Sequence, residues 1–464
     1  MLVYAALSPH PPLLIPEIGG TNLGKVEKIV DSMKKIADDI KGADPETIVF
    51  FTPHGNVFSD CLSALSMPEL KGDFAAFGCR NVNFKVENDL TLLKKVAVQA
   101  KDEGIDFILI DEETAARNRL NARLDHGILV PMYYLKKAGL DDVAILAISI
   151  GYLPFLKLYK FGKIVEKAAA DLGRRVAIVA SGDMSHRLKE EGPYSYHPDG
   201  PEFDRMIKEH MEKGEVEALL KIPNDIRENA GECGYRSLVM MLGSLDGRDF
   251  QIKHLEYAGP FGVGYLTAGL LPGNQGISYL NKMENDEKKK MGEIRKNESL
   301  PVRWARMVLE SYITEQKIPE LPAEMKTLEK QKAAAFVSLK KYGSLRGCIG
   351  TILPAHENLA LEIAYNAISA GTRDPRFLPV EKEELKDLVY SVDVLEKPEP
   401  CTKDDLDPKN YGVIVSKGSR RGLLLPDLEG VDTVEEQLSI ALQKAGIRPD
   451  EDYQIERFKV TRYT

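Results

Sequence analysis

A chain of 464 residues with 43% hydrophobic and 29% charged residues has material for two or three separate cores. Its formal net charge of −9 argues against a general nucleic-acid binder, which needs a basic face to neutralise phosphates. Five scattered cysteines with no CxxC pair argue against a disulfide framework or a zinc knuckle and fit a reducing, cytoplasmic setting.

The opening segment MLVYAALSPHPPLLIP lacks a basic start and is broken by prolines, so it reads as a strand and loop, not a signal peptide. No run of about 18 apolar residues occurs, and no membrane span is expected. Short apolar runs at 2–7, 47–52, 107–110, 143–150 and 175–181 are candidate strands. Amphipathic stretches at 23–40 and 90–104 are candidate helices between them; Leu93, Val96, Ala97 and Ala100 share one face of the second. Near-continuous apolar strands alternating with helices indicate an α/β unit with a mostly parallel central sheet flanked by helices. The runs 251–259 and 262–271 read as a hairpin-linked, antiparallel pair at its end.

Texture changes after residue 272. Residues 273–296 have Gly and Asn followed by a mixed charge run, the composition of a linker or of a solvated charged helix. Domains are therefore expected at 1–272 and 297–464. The second begins with a helix from Leu300-Pro301, where proline suits a first turn. Candidate strands follow at 333–341, 388–396, 411–417, 422–428 and 453–463, with helices at 356–371 and 433–445. Hairpin signals sit at Tyr342-Gly343 and at 417–422. This is a smaller α+β domain.

Three strands of the first domain end in similar punctuation: Ser8-Pro9-His10, Thr52-Pro53-His54-Gly55, and Ser181-Gly182-Asp183-Met184-Ser185-His186. Sites in open α/β sheets form beyond the carboxyl ends of strands, so these histidines are placed to converge. Proline beside a histidine restricts where its ring points. His126, next to Asp125, opens another apolar segment. Any one of these histidines alone reads as an ordinary loop residue; the repeated strand–PH pattern favours a metal site, since neutral imidazole is the commonest side-chain ligand. His197, His210, His254 and His356 lack such context. A carboxylate or thiol donor is available at Glu232-Cys233-Gly234, ahead of an apolar helix, although Glu232 there also suits simple electrostatic capping. In the second domain, Cys348 within LRGCIG reads first as a small buried residue and second as a thiol activated by Arg346. Arg373, Asp374 and Arg376 form either an anion-binding surface or an ion-paired turn.

The ordered motifs SPHPPLLIP, TPHG, DHGILVP, SGDMSH and GECG resemble the class III extradiol dioxygenase (LigB-like) superfamily and the related Memo proteins over residues 1–272. The resemblance implies Fe(II), with Zn(II) as the alternative, held by His10, His54 and Glu232, and an aromatic, diol-like small-molecule substrate. It implies His186 as acid–base catalyst and His126 as a substrate or oxygen contact, with Asp183 grouped beside them. Memo proteins place a cysteine near the third ligand position, which makes Cys233 the alternative ligand. GSLRGCIGT, AYNAISAGTRDPRFLPV and LVYSVDVLEKPEP resemble the AMMECR family over 297–464. The fusion resembles AmmeMemoRadiSam system proteins, which implies a radical-SAM enzyme as partner and leaves an oligomer open. Two functions follow as expectations: a metal-dependent oxidoreductase of the extradiol type, or a metal-binding, ligand- or peptide-binding scaffold of the Memo type.

Overall fold

The computed structural model describes residues 1–428 and 430–464. These form two compact units, Met1–Asp286 and Glu287–Thr464. In the first unit the strands are β1 (Leu2–Ser8), β2 (Thr47–Thr52), β3 (Leu62–Leu65), β4 (Glu69–Phe74), β5 (Cys79–Glu87), β6 (Phe107–Ile110), β7 (Ala144–Ser149), β8 (Val176–Ser181), β9 (Phe250–Ala258) and β10 (Tyr265–Pro272). Eight of them make one sheet in the order β6-β3-β7-β2-β8-β1-β10-β9, while β4 and β5 pair as a separate antiparallel ribbon. The centre, β7-β2-β8-β1, is parallel throughout, and antiparallel pairing enters at β3–β7, β1–β10 and β10–β9.

Every residue of β2 and β8 is buried, as the unbroken apolar runs require. The period of two sorts them onto two faces. Val49 and Phe51 join a core with the helices Phe155–Asp171 and Tyr235–Ser244. Ile48 and Phe50 join a second core with the helices Glu27–Gly42 and His126–Lys137. The first expected helix starts at Glu27, not residue 23, because Gly20–Lys25 winds as a 3-10 turn. The second starts at Leu90, where the Asp89 carboxylate accepts from the Leu92 N–H at 3.0 Å.

The stretch of linker composition is helical from Tyr279 to Asn297, with no buried residue, which is the solvated-helix alternative. In the second unit β11 (Ala334–Lys341), β12 (Ser344–Gly350), β13 (Leu388–Leu395) and β18 (Val460–Tyr463) form an antiparallel sheet ordered β12-β11-β13-β18. The helices Leu300–Glu315 and Leu359–Thr372 cover its apolar face. β14 (Glu399–Pro400), β15 (Gly412–Lys417), β16 (Arg420–Leu424) and β17 (Gln454–Phe458) form a second antiparallel sheet, ordered β14-β17-β15-β16, under the helix Val434–Ala445. The run 453–463, expected as one segment, breaks at Lys459 into β17 and β18, which serve different sheets.

Candidate metal centre

The parallel register puts Ser8 beside Ser181 and Phe51 beside Ala180, so β1, β8 and β2 finish at one edge of the sheet. His10, His54 and the 183–186 loop leave from there. The helix His126–Lys137 points its first turn at the same edge. The Asp125 carboxylate caps it, accepting from the Gly127 N–H at 2.8 Å and from the Thr52 hydroxyl at 2.7 Å. Gly127 permits this approach: a Cβ there would lie 2.5 Å from Thr52 Oγ1 and 3.3 Å from Ser181 Oγ.

One ring nitrogen from each of His10, His54 and His126 lies within 4.8 Å of the others. His10 Nε2 and His54 Nε2 are 2.9 Å apart. Two ligands about 2.1 Å from a common ion and at right angles are separated by roughly that distance. The tautomer of His10 follows from its support. Ser181 Oγ donates its one hydrogen to the Gly127 carbonyl and therefore accepts, at 2.9 Å, from His10 Nδ1–H. Nε2 is left with a lone pair facing the cluster. Burial, then the neighbouring rings, pushes His10 well below the ordinary histidine pKa, and burial foremost brings His54 down to about 4. His126 and His186 are lowered by burial as well. Neutral imidazoles brought together, with the His10 lone pair turned toward the other two, are ready ligands, so the residues fit a divalent metal.

Of the expected site residues, Glu232 stands apart. Its carboxylate turns to the helix Tyr235–Ser244 and accepts from the Tyr235 N–H at 2.6 Å, and burial raises its pKa. It is not in the histidine cluster; His126 occupies the third position there. Cys233 comes nearer, with Sγ 3.6 Å from His10 Nε2, and its thiol is raised well above the ordinary value by burial and Asp183. Asp183, buried, ties the loops together: Oδ1 accepts from the His10 N–H at 3.0 Å and its carbonyl from the Gly234 N–H at 2.9 Å. Gly182 and Gly234 are the contact point, since a Cβ on Gly182 would sit 2.0 Å from the Gly234 Cα. The His186 ring lies in electrostatic reach of His10 and His54, and the Gly231 and Met184 backbone lies against it, partly offsetting the effect of burial.

Sequence reasoning missed several participants. Ser181 lay inside a noted motif, but its part in setting the tautomer needs the Gly127 carbonyl. Phe77, between β4 and β5, sets its ring 5.3 Å from that of His126, and Tyr194 lies 6.0 Å from His186; both rings are exposed. No sequence signal marks either. The remaining histidines have partners of their own: His197 with Asp199, His210 with Glu215, His254 with Asp39, and His356 stacked on Tyr365. In the second unit the Arg346 guanidinium, the activator in the second of the two readings of Cys348, is held by Glu384 at 2.8 and 3.0 Å. Cys348 Sγ accepts from the Ser338 hydroxyl at 3.1 Å. Asp374 and Arg376 make the ion-paired turn, two bonds at 2.7 and 2.9 Å, with Asp374 also accepting from the Cys348 N–H.

Comparison with known proteins agrees with this division. Residues 4–268 match the family described as the catalytic LigB subunit of aromatic ring-opening dioxygenase, and residues 302–464 match AMMECR1. A Clostridium acetobutylicum protein is 44% identical over 463 residues, covering 98% of both chains. A Thermotoga maritima protein is 59% identical over 169 residues, 35% of this chain and 95% of its own. Among solved structures, an uncharacterized Escherichia coli K12 protein is similar at 18% identity and a TM-score of 0.38, covering 57% of this chain and 99% of that one. The chain therefore belongs to the LigB family, and in it an AMMECR1 domain follows the LigB domain.

Proposed function

We propose that the LigB domain is a divalent-metal-dependent oxidoreductase of the extradiol type, acting on an aromatic, diol-like substrate, with His10, His54 and His126 holding the ion. The convergence of three neutral imidazoles carries this reading. Fe(II) is the first candidate and Zn(II) the second; when bound, the ion supplies Lewis-acid or redox chemistry. The protein's own residues supply the rest. His186, its pKa lowered by burial, takes a hydroxyl proton from the substrate and returns it. Asp183 positions the His10 and Cys233 loops, and Ser181 fixes the His10 tautomer. Phe77 and Tyr194 offer ring surfaces beside the histidines.

The 3.6 Å approach of Cys233 to His10 favours a second reading, a Memo-type metal-binding protein without dioxygenase activity. A radical-SAM partner belongs to the proposal through resemblance and a cytoplasmic location through the scattered cysteines; among the described residues no helix is long and apolar enough to cross a membrane.

The test is to purify the protein anaerobically, quantify bound Fe, Zn, Mn and Cu, and repeat this for His10→Ala, His54→Ala, His126→Ala and Glu232→Gln. Near-stoichiometric metal is expected, lost in the three histidine variants and retained in Glu232→Gln. Oxygen admitted to iron-loaded protein with a panel of catechols then separates the readings, since only the dioxygenase yields yellow ring-opened product. Protein that takes up no metal on reconstitution overturns both.

A further inference from the structure

Arg236 occupies the first turn of the helix Tyr235–Ser244. Its guanidinium lies over Tyr152 at 4.7 Å and Phe155 at 5.1 Å from the ring centroids. Cation–π contact satisfies the faces of the group, while its N–H donors lie in the plane. Its Nε is sealed from solvent with no partner. Among the described residues none accepts a hydrogen bond from the guanidinium, and no carboxylate comes within 4.0 Å of it. Arg227 provides the contrast: it lies over Phe155 and Tyr235, but its Nε donates to the Ile222 carbonyl and its Nη2 to Asn224 Oδ1. The neighbouring anion, Glu232, accepts from the Tyr235 N–H and favours the Arg236 charge without bonding to it.

A stacked guanidinium with a sealed, unpartnered Nε keeps in-plane donors for a further acceptor. Its position says which. Cys233, three residues earlier, is 3.6 Å from His10 Nε2. Tyr152 follows the carboxyl end of β7, and its N–H donates at 2.9 Å to the Phe58 carbonyl in the loop that continues from His54. Arg236 thus sits beyond the same sheet edge as the histidine cluster, where the helix N-terminus adds its own preference for negative charge. We propose that Arg236 is an anion-recognition residue of this site and binds a carboxylate on the substrate. A carboxylate matches the planar edge of a single guanidinium through two parallel hydrogen bonds. This subsite rests on the reading of the adjoining cluster as a small-molecule site.

The experiment uses the full chain and two isosteric probes, benzoate and neutral benzamide, titrated calorimetrically with and without bound metal. The wild type is expected to bind benzoate about tenfold or more tightly than benzamide. Arg236→Gln should remove that preference and leave benzamide unchanged; Arg236→Lys, which keeps charge but not the fork, should weaken benzoate alone and serves should the Gln variant not fold. No benzoate binding by the wild type, equal binding of both probes, or benzoate affinity untouched by the Arg236 variants overturns the inference. A benzoate preference that depends on Arg236 in protein unable to hold metal keeps the subsite and removes the metal reading.

Discussion

The residues around the cluster titrate in opposite senses, which gives the site a readable pH signature. His54, held at about 4, and its neighbours stay neutral where an unfolded chain would already be protonated. They remove stability as pH falls below about 6.5. Asp204 works the other way. Buried, accepting from the Ser185 N–H at 2.7 Å and the Tyr257 hydroxyl at 2.7 Å, it is raised to about 7, chiefly by burial. Between about pH 4 and 7 the folded state keeps a proton that the unfolded state has released, so stability falls as pH rises through that window and is level above it. Asp204→Asn abolishes this titration and keeps an acceptor for Ser185. Relative to wild type, the variant should gain stability from pH 5 to pH 8, by an amount of order a few kcal/mol, in urea unfolding. A difference that stays constant over that range would mean Asp204 is already ionised at pH 5. At this scale the sequence was informative where a motif repeats and silent where direction decides. His10, His54 and His186 stand behind recurring strand ends, but the sequence cannot say whether Glu232 or Cys233 faces the cluster, because adjacent residues in a tight loop point opposite ways. The third imidazole, His126, was visible as a candidate, but not as a member of the trio, since its place depends on a helix arriving from elsewhere in the chain.

That arrival is a matter of elements, and it turns on Gly127. A Cβ at this position lies 2.5 Å from Thr52 Oγ1 and 2.8 Å from Asp125 Oδ1, below any real contact distance. Gly127→Ala must therefore displace the Thr52 and Asp125 side chains or the start of the helix His126–Lys137, loosening both His126 and the Ser181–Gly127 bond that sets the His10 tautomer. The expected result is a loss of about 1–3 kcal/mol in stability together with a fall in metal affinity of roughly tenfold or more, measured by competition with a chelator. Gly24→Ala, with nothing within 4 Å of the added atom, is the control and should change neither. Unchanged metal affinity in Gly127→Ala would show that the helix tolerates the shift. Strands that are apolar on both faces announced themselves in the sequence: the candidates 47–52 and 107–110 coincide with β2 and β6. β3, four residues long, and the β4–β5 ribbon did not, since β5 (CRNVNFKVE) is mostly polar and turns only Phe84 and Val86 fully into the core. The break at Lys459 was equally hidden, because β17 and β18 continue one alternating pattern while belonging to different sheets.

At the scale of the molecule, the apolar clusters of the LigB unit draw on residues up to Met283, and those of the AMMECR1 unit begin at Val302. Each unit thus has the cores needed to unfold as its own cooperative block. Differential scanning calorimetry of the full chain should resolve two transitions. Metal binding acts only on a unit that holds it in the folded state, raising that unit's stability by about 2.7 kcal/mol when free metal is a hundred times the dissociation constant. Added metal should therefore move one transition upward and leave the other in place, and His54→Ala should cancel the movement without shifting the second peak. A single transition, or two that move together with metal, would require energetic coupling between the units beyond their separate cores, and would make the AMMECR1 domain part of the metal chemistry instead of an independent module joined to it.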